Sequence, residues 1–210
     1  MTKHKDHLKG LYAITDENLI PEKHFNQIVE SALQGGAKII QYRDKSNDQE
    51  KRLHQATILQ SLCKKYKSLC IINDDIELAK EINADGVHLG KDDNSIAEAR
   101  KVLGNDAIIG VSCYNDLNLA VDAERNSADY VAFGAIFPSP TKPNAAVADL
   151  DIISNAKSKL TIPICVIGGI TEINIHQVVE HGSDMAAVIS SLFSVNDTKD
   201  TAATFSSHFC

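Results

Sequence analysis

Three sets of residues in this chain have the types and spacing to do chemistry. "QYRDK" at 41–45 places Arg43 and Lys45 just past an apolar run, and "FGAIFPSPTKPNA" at 133–145 sets Lys142 among Ser139, Thr141 and three of the chain's five prolines. Proline fixes its own φ and restrains the residue before it, so this second stretch is a stiff loop and not a helix. Carboxylates end two further runs at Asp74 and Asp93. Such a pair suits Mg²⁺, which commonly takes one or two carboxylates together with phosphate oxygens and water. Gly168-Gly169, ahead of Thr171 as a helix N-cap, and Ile189-Ser190-Ser191 can turn backbone N–H groups toward an anion. Each feature has a plainer reading: surface cations, a tight glycine turn, and helix N-terminal carboxylates at Asp75, Asp92 and Asp93. Together they point to phosphorylated small molecules, two of them, one a diphosphate.

Composition narrows the setting. The 210 residues are 43% hydrophobic and 23% charged, which suits one domain with one core. A net charge of −7 disfavours sequence-independent nucleic-acid binding, because that binding comes from neutralising phosphates with positive charge. The five cysteines form no C-x-x-C pair and no metal-like cluster, as expected of a reduced, cytoplasmic protein. No run is long enough to span a membrane, and "MTKHKDHLKG" has no apolar signal region. The expectation is a frayed tail over residues 1–9 and a single catalytic domain over 10–210. Oligomeric state is open, a homo-oligomer included.

The elements that must position these residues read as an alternation. Apolar runs at 11–15, 38–42, 69–73, 86–89, 107–112, 130–134, 163–168 and 186–190 predict eight strands. Helical periodicity between them covers 22–34, 48–66, 75–82, 95–103, 115–126, 149–158, 172–181 and a last stretch after Asp197. Strands without polar alternation are those of a parallel sheet buried on both faces. Eight such units in this length fit an α/β fold, a single (β/α)8 TIM barrel with outer helices, in which chemistry belongs at the carboxyl ends of the strands. All the residues singled out above fall at such ends. The segments entering the strands, such as "INAD", "RNSAD" and "HGSD", read as helix stops and capping devices.

The ordered blocks "LYAITD", "QYRDK", "IINDD", "ADGVHLGKDD", "IIGVSCYN", "ADYVAFGAIFPSPTKPNA", "IPICVIGGIT" and "VISSLF" resemble the thiamine-phosphate synthase family from about Leu11 to about Phe193. The resemblance implies a Mg²⁺-assisted transferase. It would condense 4-amino-2-methyl-5-(diphosphooxymethyl)pyrimidine with 4-methyl-5-(2-phosphooxyethyl)thiazole, giving thiamine phosphate and pyrophosphate. It implies that Gln41, Tyr42, Arg43, Asp44, Lys45, Asn73, Ser112 and Lys142 hold the pyrimidine diphosphate, with Arg43, Lys45, Ser112 and Lys142 acting in catalysis. Ser139, Pro140, Thr141, Gly169, Ile189 and Ser190 would hold the thiazole phosphate, and Asp74 and Asp93 the Mg²⁺. A thiazole nitrogen carries its own lone pair, so no catalytic triad is needed.

Lys91, Tyr114, Asn115 and Met185 depart from the family's usual residues, though none is an implied ligand. A related thiazole tautomerase would want a basic histidine near the fifth strand, where Tyr114 stands. His88 alone, ending a buried strand, reads as a structural residue. A noncatalytic barrel that binds a phosphorylated metabolite would keep the glycines but not need the aspartates.

Overall fold

The strands lie where apolar runs leave the backbone no water to bond. In the computed structural model, which describes residues 5–90, 93, 95–138 and 148–209, they are β1 (Gly10–Ile14), β2 (Ile39–Tyr42), β3 (Leu69–Asn73), β4 (Gly86–Leu89), β5 (Ile108–Tyr114), β6 (Tyr130–Phe133), β7 (Ile164–Ile167) and β8 (Met185–Val188). All pair in parallel, each with its sequence neighbour, and β8 pairs with β1 to close a barrel. Helices α1 (Phe25–Gln34), α2 (Gln49–Tyr66), α3 (Ile76–Glu81), α4 (Ile96–Leu103), α5 (Leu117–Arg125), α6 (Asp151–Lys159) and α7 (Ile175–Glu180) connect them. A short α8 (Ser190–Phe193) and a final α9 (Thr198–Ser207) follow β8. Among the described residues no helix is long and apolar enough to cross a membrane.

Side chains alternate along each strand, so a buried strand has two apolar faces rather than one. One face fills the lumen with Tyr12, Ile14, Ile39, Ile71, Ile108, Tyr130, Ala132, Cys165, Met185 and Ala187. The other, with Ile40, Tyr42, Ile72, Phe133 and Val166 among it, packs against the helices. Leu8 joins the lumen cluster at 1% exposure, just after a 3₁₀ turn over Lys5–His7. The expected tail over residues 1–9 is thus shorter than composition suggests: Leu8 is buried in the barrel's core.

The entry segments do more than stop helices. Asp85, Asp129 and Asp184, each the residue immediately ahead of an even-numbered strand, accept backbone N–H bonds near the start of the preceding odd one: from Cys70 at 2.8 Å, Ile109 at 2.7 Å and Ile164 at 2.8 Å. Asp129 is buried and also holds Arg100 at 2.5 Å. Asp129→Ala leaves Arg100 with backbone carbonyls, those of Ala107 and Ser127, but no carboxylate, and strands the Ile109 N–H. The expected loss is about 3 kcal/mol, the cost of breaking a buried pair, which lowers Tm by about 6–12 °C in a domain of this size. Thermal unfolding checks it, and a fall below about 2 °C would exclude this clamp role.

Candidate active site

Where β2 ends, the backbone is pinned before any ligand arrives. The Arg43 N–H donates to Thr15 Oγ1 at 2.8 Å, and that hydroxyl donates back to the Arg43 carbonyl at 3.1 Å. Arg43 then reaches Asp16 at 3.8 Å across the end of β1. Two residues on, Lys45 places its ammonium 2.5 Å from Asp74 Oδ2, at the end of β3. Asn73 donates to the same oxygen at 2.5 Å. Asp74 holds a left-handed φ of 62°, the kind of backbone that persists where surrounding structure imposes it and often marks a functional site.

Capping chemistry separates structural from free carboxylates. Asp75 caps α3 through Leu78 N–H at 2.9 Å and pairs with Arg52 at 2.7 Å. Ser95 and Glu98 form a complete capping box on α4. Neither helix therefore uses Asp74 or Asp93 as its N-cap. Asp93 accepts from the Gly90 N–H at 2.6 Å and donates a hydrogen bond to Asp74. Burial and the neighbouring Asp74 carboxylate raise the Asp93 pKa above the usual range. At Asp74 burial acts in the same direction, but Lys45, Asp93 and Asn73 outweigh it and hold the carboxyl below its ordinary value. Two carboxyls this close beside an ammonium are arranged as a divalent cation would need them. Among the described residues no group of three His, Cys, Asp or Glu side chains gathers as a metal cluster.

Across the lumen runs a line of polar side chains. Gln41 Nε2 donates to the Tyr12 hydroxyl at 2.8 Å, which meets the Tyr130 hydroxyl at 2.8 Å. Tyr130 meets His88 Nδ1 at 2.9 Å, and His88 Nε2 meets Ser112 Oγ at 2.9 Å. Burial pushes the His88 pKa down to about 4, against the opposing pull of the Asp74 carboxylate. Burial raises both phenols well above their ordinary value, so all three side chains are neutral near pH 7. Gln41 and Ser112 are thus joined through residues that the sequence did not single out as ligands.

The glycine side closes the rim. Gly168 and Gly169 have φ of 106° and 62°. A Cβ on Gly169 would sit 2.5 Å from the Pro138 carbonyl oxygen and 2.6 Å from that of Phe137, so the turn packs on the entry to the proline-rich loop. Ser191 donates to the Ile170 carbonyl, tying the segments after β7 and β8 together, and α8 opens at Ser190 directly after Ile189. Thr171 is not an N-cap: its N–H bonds to Asn174 Oδ1 at 2.8 Å, and α7 starts at Ile175 rather than at 172.

Gln41, Arg43, Lys45, Asn73, Asp74, Asp93 and Ser112 therefore share the carboxyl-end mouth with Gly169, Ile189 and Ser190. Tyr42 and Asp44 do not, because strand alternation turns them outward. Tyr42 donates to Gln55 at 3.1 Å and packs edge-on against Phe25, while Asp44 pairs with Lys51 of α2 at 2.8 Å. Ser139, Pro140, Thr141, Lys142 and the departure at Lys91 lie outside the described residues. Tyr12, Tyr130 and Asp16 were missed by sequence reasoning. Two phenols on inward positions of buried strands were the available signal, since a buried Tyr hydroxyl usually finds a partner.

Comparison with known proteins places this geometry. The family described as Thiamine monophosphate synthase matches residues 11–192. A thiamine-phosphate synthase of Nitrosococcus oceani is 52% identical over 202 residues, 96% of this chain and 93% of the relative. That of Thioalkalivibrio sulfidiphilus is 44% identical over 209 residues, 100% and 99% of the two chains. A solved thiamine phosphate pyrophosphorylase from Pyrococcus furiosus superposes with a TM-score of 0.88 at 33% identity, covering 97% of this chain and 96% of that one.

Proposed function

Because the chain belongs to the thiamine monophosphate synthase family, whose members are transferases, we propose that it joins the pyrimidine diphosphate to the thiazole phosphate named above. The carbon–oxygen bond to the diphosphate breaks, a carbon–nitrogen bond to the thiazole forms, and pyrophosphate leaves. The observation that carries this reading is the corner of Lys45, Asn73, Asp74 and Asp93 beside Gln41 and Ser112, since it combines a cation, a carboxylate pair and neutral donors on one rim.

Arg43 and Lys45 would bind the diphosphate, and the fixed N–H and hydroxyl groups would orient the pyrimidine. Lys142, with Ser139, Pro140 and Thr141, is assigned by resemblance alone. Gly169, Ile189 and Ser190 would receive the thiazole phosphate. Asp74 and Asp93 fit Mg²⁺, whose chemistry would be to neutralise charge developing on the leaving pyrophosphate. Prearranged cations stabilise such charge better than solvent, which must first reorganise, does. Holding both reactants in line removes much of the entropic cost of their meeting. Tyr42 and Asp44 support α2 and are left out of the binding set. The four described cysteines are free and buried, which supports a reduced, cytoplasmic setting.

The test is to incubate the purified protein with both substrates and follow pyrophosphate and thiamine phosphate. Equal amounts of each are expected, and only with Mg²⁺ present. No pyrophosphate under any condition would rule the synthase reading out. The tautomerase alternative is disfavoured by Tyr114 at the end of β5, which supplies no imidazole base.

A further inference from the structure

The lumen chain has a direction, and the direction assigns each proton. Gln41 turns Nε2 to the Tyr12 hydroxyl, which accepts from it; turning the Tyr12 hydrogen toward Tyr130 is then the arrangement that leaves no hydroxyl hydrogen in the chain unpaired. Tyr130, accepting there, turns its hydrogen toward His88 Nδ1. A neutral imidazole whose Nδ1 accepts carries its hydrogen on Nε2, which then donates to Ser112 Oγ. The Ser112 hydrogen is left over at the mouth.

We propose that Tyr12, Tyr130 and His88 are positioning residues: their chain, anchored at Gln41, holds His88 as the Nε2–H tautomer and turns the Ser112 hydroxyl proton toward an acceptor atom of the pyrimidine diphosphate. The chain is built into the barrel. Tyr12 and Tyr130 are 1% and 0% exposed, and their rings meet edge-on at 6.0 Å. The His88 ring stacks on Tyr130 at 5.5 Å. Gly110 makes the space, because a Cβ there would fall 2.0–2.3 Å from Tyr130 ring and hydroxyl atoms. A linked chain of this kind strengthens each bond in it and makes the end hydroxyl a fixed donor rather than a free rotor. Only what the freed proton meets rests on the synthase reading; the tautomer does not.

The experiment is two-bond ¹H–¹⁵N correlation of histidine rings in ligand-free protein, with His88 assigned by its loss in His88→Asn. Wild type is expected to show Nε2 protonated and Nδ1 bare. Gln41→Glu, read at a pH raised until a carboxyl stretch in the infrared shows the buried group ionised, can then only accept; it reverses every link and is expected to move the hydrogen to Nδ1. Tyr130→Phe is expected to give mixed tautomers and to lower kcat about tenfold, with KM for either substrate changed less than about twofold. An Nδ1–H wild type, or a tautomer that stays put in Gln41→Glu, would overturn the assignment even if Tyr130→Phe does not fold. Because the spectra need no turnover, failure of the tautomer and failure of the synthase reading are separately visible.

Discussion

Asp74→Asn is expected to lower the rate of pyrophosphate formation by about 100- to 1000-fold, the scale on which one fixed electrostatic partner of a transition state is worth. The side chain keeps its size, so the fold is retained. What is lost is a carboxylate that accepts from Lys45 and Asn73 on one oxygen and lies beside the Asp93 carboxyl. The ion pair with Lys45 contributes little to stability, because Lys45 is 53% exposed and water screens it. Tm should therefore move less than about 2 °C while turnover falls. The same pair predicts a sign for pH. Asp93 holds its proton above the ordinary carboxylate range because Asp74 keeps its charge. Below the pH at which Asp93 ionises, cation binding must expel its proton, so apparent Mg²⁺ affinity weakens as pH falls through that titration. Isothermal titration of Mg²⁺ at falling pH, in buffers of different ionisation heat, reads the proton released once Asp93 is protonated. A variant that turns over normally at low Mg²⁺ would remove Asp74 from the metal site.

The barrel was legible because its strands leave a strong trace: runs such as "KIIQY" and "LCIIN" are apolar on both faces, and each begins or ends within about two residues of its expected bound. The rim was legible for a related reason, since polar residues that follow such runs have nowhere to lie but the carboxyl ends. What was not legible depends on direction. "QYRDK" reads as one block, but with Gln41 inward the period of two sends Tyr42 to Phe25 and the helix layer, and Asp44 lies against Lys51. Tyr12 and Tyr130 stand 118 residues apart, and only closure of the barrel brings them to 2.8 Å. No spacing in the sequence carries that register. Thr171 resembles a cap by type, yet Asn174 takes its N–H and the helix begins later.

The second large effect is expected at the opposite side of the mouth. Gly169→Ala should raise KM for the thiazole phosphate about 100-fold, with KM for the pyrimidine diphosphate changed less than about threefold. Two costs coincide there. A φ of 62° is tolerated by alanine at a cost of about 1–2 kcal/mol. The new methyl, however, meets two backbone carbonyl oxygens, at 2.5 Å on Pro138 and 2.6 Å on Phe137, and neither is a flexible side-chain end that can swing away. Relief must come from displacing the turn or the entry to the proline-rich loop, the two segments assigned to the thiazole phosphate. Binding energy lost on one reactant, with most of the other's site anchored on β2, β3 and β5 and only Lys142 following in the proline-rich loop, appears mainly as a change in one KM. Steady-state kinetics with each substrate varied in turn decides it. Equal rises in both KM values would mean that the two phosphate sites are a single unit, and unchanged values would place the thiazole phosphate elsewhere on the rim.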